Sequence, residues 1–509
     1  MIAKLAAISL TCIFIATALS GCVSSENPDD ASQQIDEINA QLSNVNWSAY
    51  PSLSDEEIGQ LRYQYDRCQV PVSDYTGFED NSATYSVDSL GRTRYDFTFS
   101  THALSVVAEK TPAYREIYGN CIDYLIQKML DKEAWRDWTE NNRTTNGGST
   151  GPYNPDPIAW KNIMYSGYLA SMIGFYERLT GDTKYDSDFT LVYNESLKFT
   201  YNHKTLIDAI CKQMTENSYH GVCCEADSCF WICNQMGVLG IKLYDLFHGT
   251  DYSTVLPAWF DWAESNYIVP PMKTGLAPAF MYTVYSPSND IMIPVPGSEV
   301  NILAALYMNP FDSAGARQIY DMLKTQYGRY DPIDGSAYFV QTIGGTNAIW
   351  KYMGFGLIDI MASIFGPFNQ NPFGIWSSSS YYVMSDSDST LAGLMAAKEV
   401  GDLEMYDRIL QFVERYYQPE WNNGTLYYRI YHSEDSKFMN GILNSWILMA
   451  RASDPGTLYG IMNNFNPEKF GEPELLGIDY PAIEVRTCFY DRATENILVK
   501  LNVSKAVGE

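Results

Sequence analysis

Residues 221–235 concentrate side chains that can carry out acid and base chemistry. Four of the ten cysteines of the chain fall in this segment, together with two carboxylates and an amide. They stand directly before a stretch with helical apolar spacing, so a helix would present them to a common pocket. Such groups are proton donors and acceptors suited to an uncharged substrate. The side chains concerned are Cys223, Cys224, Glu225, Asp227, Cys229, Cys233 and Asn234.

Three other interpretations of this cysteine cluster stay open. Zinc is disfavoured because the cluster lacks a C-x2-C pair and His220 is the only histidine nearby, so we predict no metal centre. A disulfide within the cluster would be favoured if the chain is exported to an oxidising compartment. Glu225 and Asp227 could instead cap the helix that follows, which is a common role for carboxylates in that position.

The cluster resembles the pocket motif of the linalool dehydratase/isomerase family. Residues 224–234 match the pattern Cys-Glu-x-Asp-x-x-Phe-x-x-Cys-Asn, and residues 244–252 are similar to a second family segment. The resemblance covers most of the chain from about residue 55, with an insertion near residues 142–156 and longer loops near residue 370. Further segments that resemble the family in the same order are residues 94–99, 135–138, 162–169 and 401–402.

The resemblance implies an α/α barrel that dehydrates a tertiary allylic terpene alcohol, or isomerises it to the primary alcohol, without a cofactor and in a ring of subunits. Cys224 and Cys233 would flank the hydroxyl-bearing carbons, one side donating a proton to the departing hydroxyl and the other accepting one. Water leaves an allylic carbon easily once its oxygen is protonated, so an apolar cavity with one acid and one base is sufficient. The same resemblance places Glu225 in the catalytic group and assigns substrate contacts to Tyr95, Met164, Phe230, Asp227, Asn234 and Tyr285.

Two departures from the family pattern concern the proton path. The family has a histidine four residues after a methionine, whereas this chain has Tyr168 four residues after Met164. A phenol with a pKa of about 10 is a weaker base at neutral pH than an imidazole of about 6.5, so either the proton path or the substrate differs. The family's acid and tyrosine before the first barrel helix are assigned to Asp66 and Tyr75, with a spacing that requires a gap.

The elements that must position these residues are mostly helices. Several segments end alike, with a helix, a glycine beside a polar residue, and a tyrosine that opens the next element. Repeated helical pairs with irregular spacing predict an all-α fold, an α/α toroid of about six helical hairpins, rather than a straight solenoid. The repeated endings lie at residues 175–186, 243–252 and 397–407.

Other segments fit this plan. Residues 103–129 predict two helices broken at Thr111-Pro112, and residues 301–307 and 314–327 predict another pair. Alternating β-forming residues predict short hairpins at one mouth of the barrel, and a polar stretch predicts a long loop on a barrel face. The β-forming segments are residues 280–285 and 424–431, and the loop covers residues 369–388.

The N-terminal residues predict export and a lipid anchor. Lys4 precedes an apolar run at residues 5–19, which is shorter than the roughly 20 residues that cross a bilayer. The run ends in small residues before Cys22, which resembles a lipobox cysteine that is acylated after cleavage; a plain signal peptide is the alternative. The protein is therefore expected outside the cytoplasm, anchored to the membrane as a lipoprotein. The predicted organisation is a signal peptide over residues 1–22, a polar tether over residues 23–50, and one catalytic barrel domain over residues 51–509.

Composition indicates a folded domain and excludes one class of partner. Hydrophobic residues make up 46% of the chain and aromatic residues 14%, which is ample material for a large core. A net charge of −27 repels polyanions, so a nucleic-acid-binding function is excluded. Two further functions stay open, a carbohydrate-active α/α barrel with paired carboxylates about 5 to 9 Å apart and a non-catalytic binding protein on the same fold.

Overall fold

The computed structural model describes residues 13–17, 45–78, 93–135, 155–224, 227–269, 280–293, 298–331, 334–340, 387–430 and 437–503. Within these ranges the protein is rich in α-helix and carries a few short β-hairpins. The helices are α1 (Asp55–Arg67), α2 (Thr93–Ala108), α3 (Glu116–Leu130), α4 (Ile163–Thr180), α5 (His203–Glu216), α6 (Trp231–His248), α7 (Leu256–Tyr267), α8 (Ser298–Met308), α9 (Ser313–Tyr327), α10 (Ser387–Glu399), α11 (Leu403–Tyr416), α12 (Lys437–Ala452) and α13 (Thr457–Asn463).

Short antiparallel strands connect or extend these helices. The paired strands are β2 with β3, β5 with β6, β9 with β10, β11 with β12, and two three-stranded sheets in the orders β4-β7-β8 and β1-β14-β13. Their bounds are β1 (Ile13–Thr17), β2 (Phe189–Asn194), β3 (Leu197–Tyr201), β4 (Cys229–Phe230), β5 (Ile268–Val269), β6 (Phe280–Met281), β7 (Val284–Ser286), β8 (Ile291–Ile293), β9 (Gly328–Tyr330), β10 (Ala337–Phe339), β11 (Pro419–Asn422), β12 (Thr425–Tyr428), β13 (Ile483–Asp491) and β14 (Asn496–Val503).

The helices alternate along the chain between two kinds of environment. The even-numbered helices from α2 to α12 contact one another in cyclic order, with α12 returning to α2. Each odd-numbered helix from α1 to α11 packs against one or two even-numbered helices. The odd-numbered helices keep an exposed face, as in α11, where the buried residues Met405, Ile409 and Phe412 recur at helical spacing. The described even-numbered helices are almost wholly buried, so the core lies around them.

Glycines end two of the helices that carry site residues. Gly181 follows α4 and Gly249 follows α6, and both adopt the left-handed conformation, with φ of 74° and 67°. Glycine accepts this conformation without the steric penalty of a Cβ atom. In the third repeated ending, Asp402 caps α11 by accepting a hydrogen bond from the Met405 backbone N–H. The helix endings expected from the sequence are thus confirmed.

Small residues let α4 and α6 approach each other closely. A Cβ atom added at Gly167 would lie 2.7 Å from the backbone nitrogen of Gly237. A Cβ atom added at Gly240 would lie 2.6 Å from the Cβ of Ala170. Because neither position has room for a side chain, the two helices are held in one fixed relation, and both carry candidate site residues.

The structure confirms most of the predicted local elements. Residues 103–129 form two helices that separate between Ala108 and Glu116, and α8 and α9 cover the second predicted pair. The hairpin at residues 424–431 is present as β11 and β12. Residues 280–285 form strands, but β6 pairs with β5 whereas β7 pairs with β4 and β8. The predicted loop lies outside the described residues up to position 386, and α10 begins at Ser387.

Most of the predicted N-terminal segments, including Cys22 and the tether up to residue 44, lie outside the described residues. Within the predicted signal segment, the described strand β1 pairs with β14. Among the helices of the described ranges, not one combines the length and the apolar character needed to cross a membrane.

Candidate functional site

Of the four clustered cysteines, two form a disulfide and two lie outside it. Cys223 and Cys229 form a disulfide. Cys224 and Cys233 take no part in a disulfide, and they are 1% and 5% exposed. The disulfide alternative is therefore realised by the two cysteines that have no role in the family motif, and both motif thiols stay available for chemistry.

Asn234 fixes the loop that carries Cys224. Its side-chain oxygen accepts a hydrogen bond from the Val222 backbone N–H at 2.6 Å. Its amide nitrogen donates to the carbonyl oxygens of Val222 and Phe230 at 3.0 and 2.8 Å. Asn234 is only 3% exposed, so these hydrogen bonds are buried. Both polar atoms of the Asn234 side chain thus bond to the protein backbone, and its contribution to the site is to position Cys224.

The loop between the two thiols turns back on itself. The backbone N–H of Cys224 donates to the Ser228 carbonyl at 3.0 Å, and the Cys224 thiol lies 3.3 Å from the same oxygen. Strand β4 follows and pairs with β7, which places Phe230 opposite Val284. Cys233 stands in the first turn of α6 directly after this strand. The side chain of Phe230 is half-buried.

Tyr168 lies on α4 beside the two thiols. Its ring meets that of Tyr95 edge to face, with the centroids 5.0 Å apart. Burial raises the pKa of Tyr168 well above its usual value, and the neighbouring acidic groups Cys233, Tyr95, Tyr307 and Cys224 raise it further. The phenol therefore stays protonated. Met164 stands one turn earlier on the same helix and is half-buried, as Tyr95 is.

A second tyrosine beside the thiols, Tyr267, was missed by the sequence analysis. It is 1% exposed and donates a hydrogen bond to the Cys229 carbonyl at 2.6 Å. Burial and the proximity of Cys224 and Cys233 raise its pKa well above the usual value. No motif surrounds Tyr267 in the sequence, so only its packing against the cluster reveals it.

Asp227 and Tyr285 belong to the strand region next to the thiols. The Asp227 carboxylate accepts hydrogen bonds from the Ser286 hydroxyl, the Ser288 backbone N–H at 2.8 Å, and the Ser288 hydroxyl. Burial tends to raise the pKa of Asp227, but these hydrogen bonds outweigh it and leave the pKa lowered. The Tyr285 hydroxyl donates to Asp290 at 3.0 Å. In this structure the Asp227 carboxylate therefore fastens the β7–β8 hairpin to the cysteine loop.

The remaining predicted catalytic residues are not brought together among the described residues. Glu225 lies outside the described residues. Asp66 is exposed on α1, where it accepts a hydrogen bond from Thr425 at 3.0 Å. The hydroxyl of Tyr75 donates to Asp131 at 3.2 Å. Asp66 and Tyr75 thus contact different parts of the protein, and a shared role for them remains a prediction.

A buried histidine lies close to this aromatic region. The ring of His102 on α2 is fully buried, and its Nδ1 is 2.9 Å from the Tyr307 hydroxyl on α8. Burial lowers the pKa of His102 to about 3, so the imidazole is neutral. Its neighbour Phe99 also contacts the Tyr168 ring, with centroids 6.5 Å apart. The sequence offered no signal for His102, because its partners come from distant helices.

Comparison with known families settles the affiliation. A model of the family described as linalool dehydratase/isomerase matches residues 94–433, which is well over half of the chain. The chain belongs to the linalool dehydratase/isomerase family. The matched range contains Tyr95, Tyr168, Cys224 and Cys233, whereas Asp66 and Tyr75 precede it. Linalool dehydratase/isomerase proteins are enzymes of the lyase and isomerase type, so a coarse activity follows from membership.

Proposed function

We propose that this protein dehydrates or isomerises a small allylic alcohol without a cofactor, in an apolar pocket around Cys224 and Cys233. The observation that carries the proposal is the division of the cysteine cluster, in which Cys223 and Cys229 form a disulfide and Cys224 and Cys233 are buried outside it. Burial raises the pKa of Tyr168 and of Tyr267, and both thiols are among the neighbouring groups that raise each pKa further.

The proposed fold around this pocket is an α/α toroid. The cyclic contacts of the even-numbered helices support an inner ring, with the odd-numbered helices around it. Tyr95, Met164 and Phe230 keep partial exposure although they sit on or beside buried helices. Partial exposure of apolar side chains within a core is what the walls of a cavity would give. These three residues are our candidates for contact with the hydrocarbon part of the substrate.

The proposed reaction moves one proton onto the substrate and one off it. A donor protonates the hydroxyl and the C–O bond breaks. Water departs, and an allylic cation remains. A base then removes a proton from the adjacent carbon to give the diene, or water returns at the far end of the allyl system to give the isomer. Aromatic faces such as Tyr95 and Phe230 stabilise the cation while it exists.

The protonation states suggest how these roles are divided. A neutral Tyr168 can donate a hydrogen bond to the departing hydroxyl, and its raised pKa makes it unsuited to be the base. His102 is equally unsuited, since an imidazole with a pKa of about 3 holds a proton weakly. The base therefore falls to Cys224, Cys233 or Glu225, as the family resemblance implies. Tyr168 is thus a hydrogen-bond donor to the hydroxyl rather than a replacement for the family's histidine base, and the proton itself comes from the side of one of the two thiols, as the resemblance implies.

Export and assembly remain part of the proposal. We propose that Cys22 is a lipobox cysteine, that the protein is anchored to the membrane outside the cytoplasm, and that its subunits form a ring. The composition and length of the first 50 residues support the anchor, and the family resemblance supports the ring.

The test is product formation with matched cysteine variants. The full-length protein, with the Cys223–Cys229 disulfide intact, is incubated anaerobically with a panel of tertiary and primary allylic alcohols, and dienes and isomers are measured by gas chromatography. We expect turnover by the wild type, loss of turnover in Cys224→Ala and Cys233→Ala, and retention in Cys488→Ala, which removes a buried free thiol from β13. Turnover that survives both pocket substitutions would refute the assigned roles. Absence of turnover together with hydrolysis of a glycan panel would favour the carbohydrate-active alternative.

A further inference from the structure

Four potential metal ligands converge at the opposite end of α4 and α6 from the thiols. Glu177 is in the last turns of α4, His203 begins α5 and His248 ends α6. Asp186 comes from the turn after α4. One ligand atom from each of the four residues can be chosen so that all lie within 4.8 Å of one another. Fifteen residues of helix separate Cys233 from His248, which is roughly 22 Å, so this cluster is distinct from the proposed active site.

We propose that Glu177, Asp186, His203 and His248 bind a structural divalent transition-metal ion, with Zn²⁺ as the expected occupant. Two imidazoles and two carboxylates are donors that zinc accepts in four-coordinate sites. Metal-bound imidazoles are neutral, so two carboxylates and two imidazoles as ligands bring a charge of about −2, which a divalent cation neutralises. The proposal is independent of the activity argued above.

The distances within the cluster resemble the edges of a tetrahedron. Glu177 Oε2 is 2.9 Å from His203 Nδ1 and 3.1 Å from His248 Nε2. His248 Nε2 is 3.7 Å from Asp186 Oδ1, which is too long for a hydrogen bond. Ligands about 2.0 to 2.1 Å from a central zinc ion stand about 3.3 to 3.4 Å apart. Binding one ion therefore requires the closest pairs to separate slightly and the wider pairs, which are at most 4.8 Å apart, to draw together.

The polar atoms of the cluster are not satisfied by hydrogen bonds alone. Both Glu177 and His203 have fully buried side chains. Two histidine nitrogens approach the same oxygen of Glu177, while its other oxygen, Oε1, is buried without a hydrogen-bond partner. A buried carboxylate oxygen without a donor is costly, and a cation held by both oxygens removes that cost. Without an ion, Glu177 Oε1 stays buried with no hydrogen-bond donor among the described residues.

A metal at this position would connect three consecutive helices. Glu177 fixes the end of α4, His203 the start of α5, and His248 the end of α6. The ion would therefore hold the turns that close two of the helical repeats, at the end of the helices away from the thiols. Its expected effect is on stability, and catalysis at the thiols does not require it.

Zinc binding is measured on the chelator-treated full-length protein. We expect isothermal titration with Zn²⁺ to show one tight site, and zinc to raise the melting temperature. Asp186→Asn is the main variant, because its side chain is 41% exposed and the substitution leaves the packing intact. His248→Asn is the second, at a ligand whose side chain is 17% exposed. The matched control is Asp188→Asn, an exposed aspartate on the same turn.

The outcomes separate the site from other zinc-binding groups. The proposal predicts at least about a tenfold weaker zinc affinity in Asp186→Asn and His248→Asn, and an unchanged affinity in Asp188→Asn. Absence of a tight site in the wild type would overturn it. So would a tight site that both ligand variants retain, because the free cysteines would then be the zinc ligands. A weakening of equal size in the control would also overturn it.

Discussion

Replacing Asn234 with aspartate tests whether this side chain holds the loop that carries Cys224. Aspartate has nearly the same shape, and it can still accept the hydrogen bond from the Val222 N–H. It cannot donate to the carbonyl oxygens of Val222 and Phe230. The carbonyl of Val222 would then face a carboxylate oxygen in a buried place.

The size of the effect follows from this loss. A buried acceptor left without its donor costs about 1–3 kcal/mol. A cost of about 2 kcal/mol makes local opening of the loop roughly 30-fold more frequent, since each 1.4 kcal/mol is about a factor of ten. Opening exposes Cys224, so its alkylation should accelerate by a similar factor when opening limits the reaction.

The assay is iodoacetamide labelling of the native protein, followed by quantification of the cysteine peptides by mass spectrometry. Asn444→Asp is the matched control, because Asn444 makes the same pair of bonds with Tyr428, accepting from its N–H at 2.8 Å and donating to its carbonyl at 2.9 Å. We expect the control to leave Cys224 labelling near the wild-type rate. Equal acceleration in both variants, or none in Asn234→Asp, would show that the reasoning about the loop is wrong.

Three further predictions concern the contact between α4 and α6, the pH dependence of stability, and the hydrogen-bond donor Tyr168. Gly240→Ala should lower the free energy of unfolding, measured by urea denaturation, by about 1–3 kcal/mol, because the added Cβ would lie 2.6 Å from the Cβ of Ala170. Gly471→Ala is the control and should leave the free energy of unfolding nearly unchanged, because the space around Gly471 is open. His102 has a folded pKa of about 3, below its unfolded value of about 6.5, so it favours unfolding as pH falls through that window. Its contribution is about 1.4 kcal/mol per pH unit, and His102→Gln should flatten this part of the acid-denaturation profile; an unchanged slope would contradict the burial argument. Tyr168→Phe keeps the contact with Tyr95 and should lower diene formation roughly 100-fold with little change in melting temperature, whereas an unchanged rate would exclude the phenol as donor.

Local features of the fold were predictable from the sequence because their causes are local. The left-handed glycines at 181 and 249 and the cap at Asp402 each depend on a few adjacent residues. The two helices around Thr111-Pro112 and the hairpin of β11 and β12 follow from the same kind of short-range pattern. By contrast, β7 pairs with its neighbour β8 and also with β4, which lies more than 50 residues earlier in the chain, and short-range patterns do not predict that second pairing.

The candidate site was predictable only in part. The cysteine cluster could be recognised because its residues are contiguous, and the family affiliation confirms the resemblance it carries. The sequence did not reveal that Cys223 pairs with Cys229, or that Tyr267 lies beside Cys224 and Cys233.

The amino-acid sequence by itself determined the helices, their ends and the segment where chemistry is concentrated, since hydrogen bonds and side-chain periodicity within a helix involve residues three or four positions apart. Only the tertiary structure decided that Cys223 pairs with Cys229 and that Glu177 meets His203 and His248. The physical reason is that such meetings depend on how whole helices pack, and the close approach of α4 and α6 through their glycines is a property of two surfaces rather than of either sequence segment.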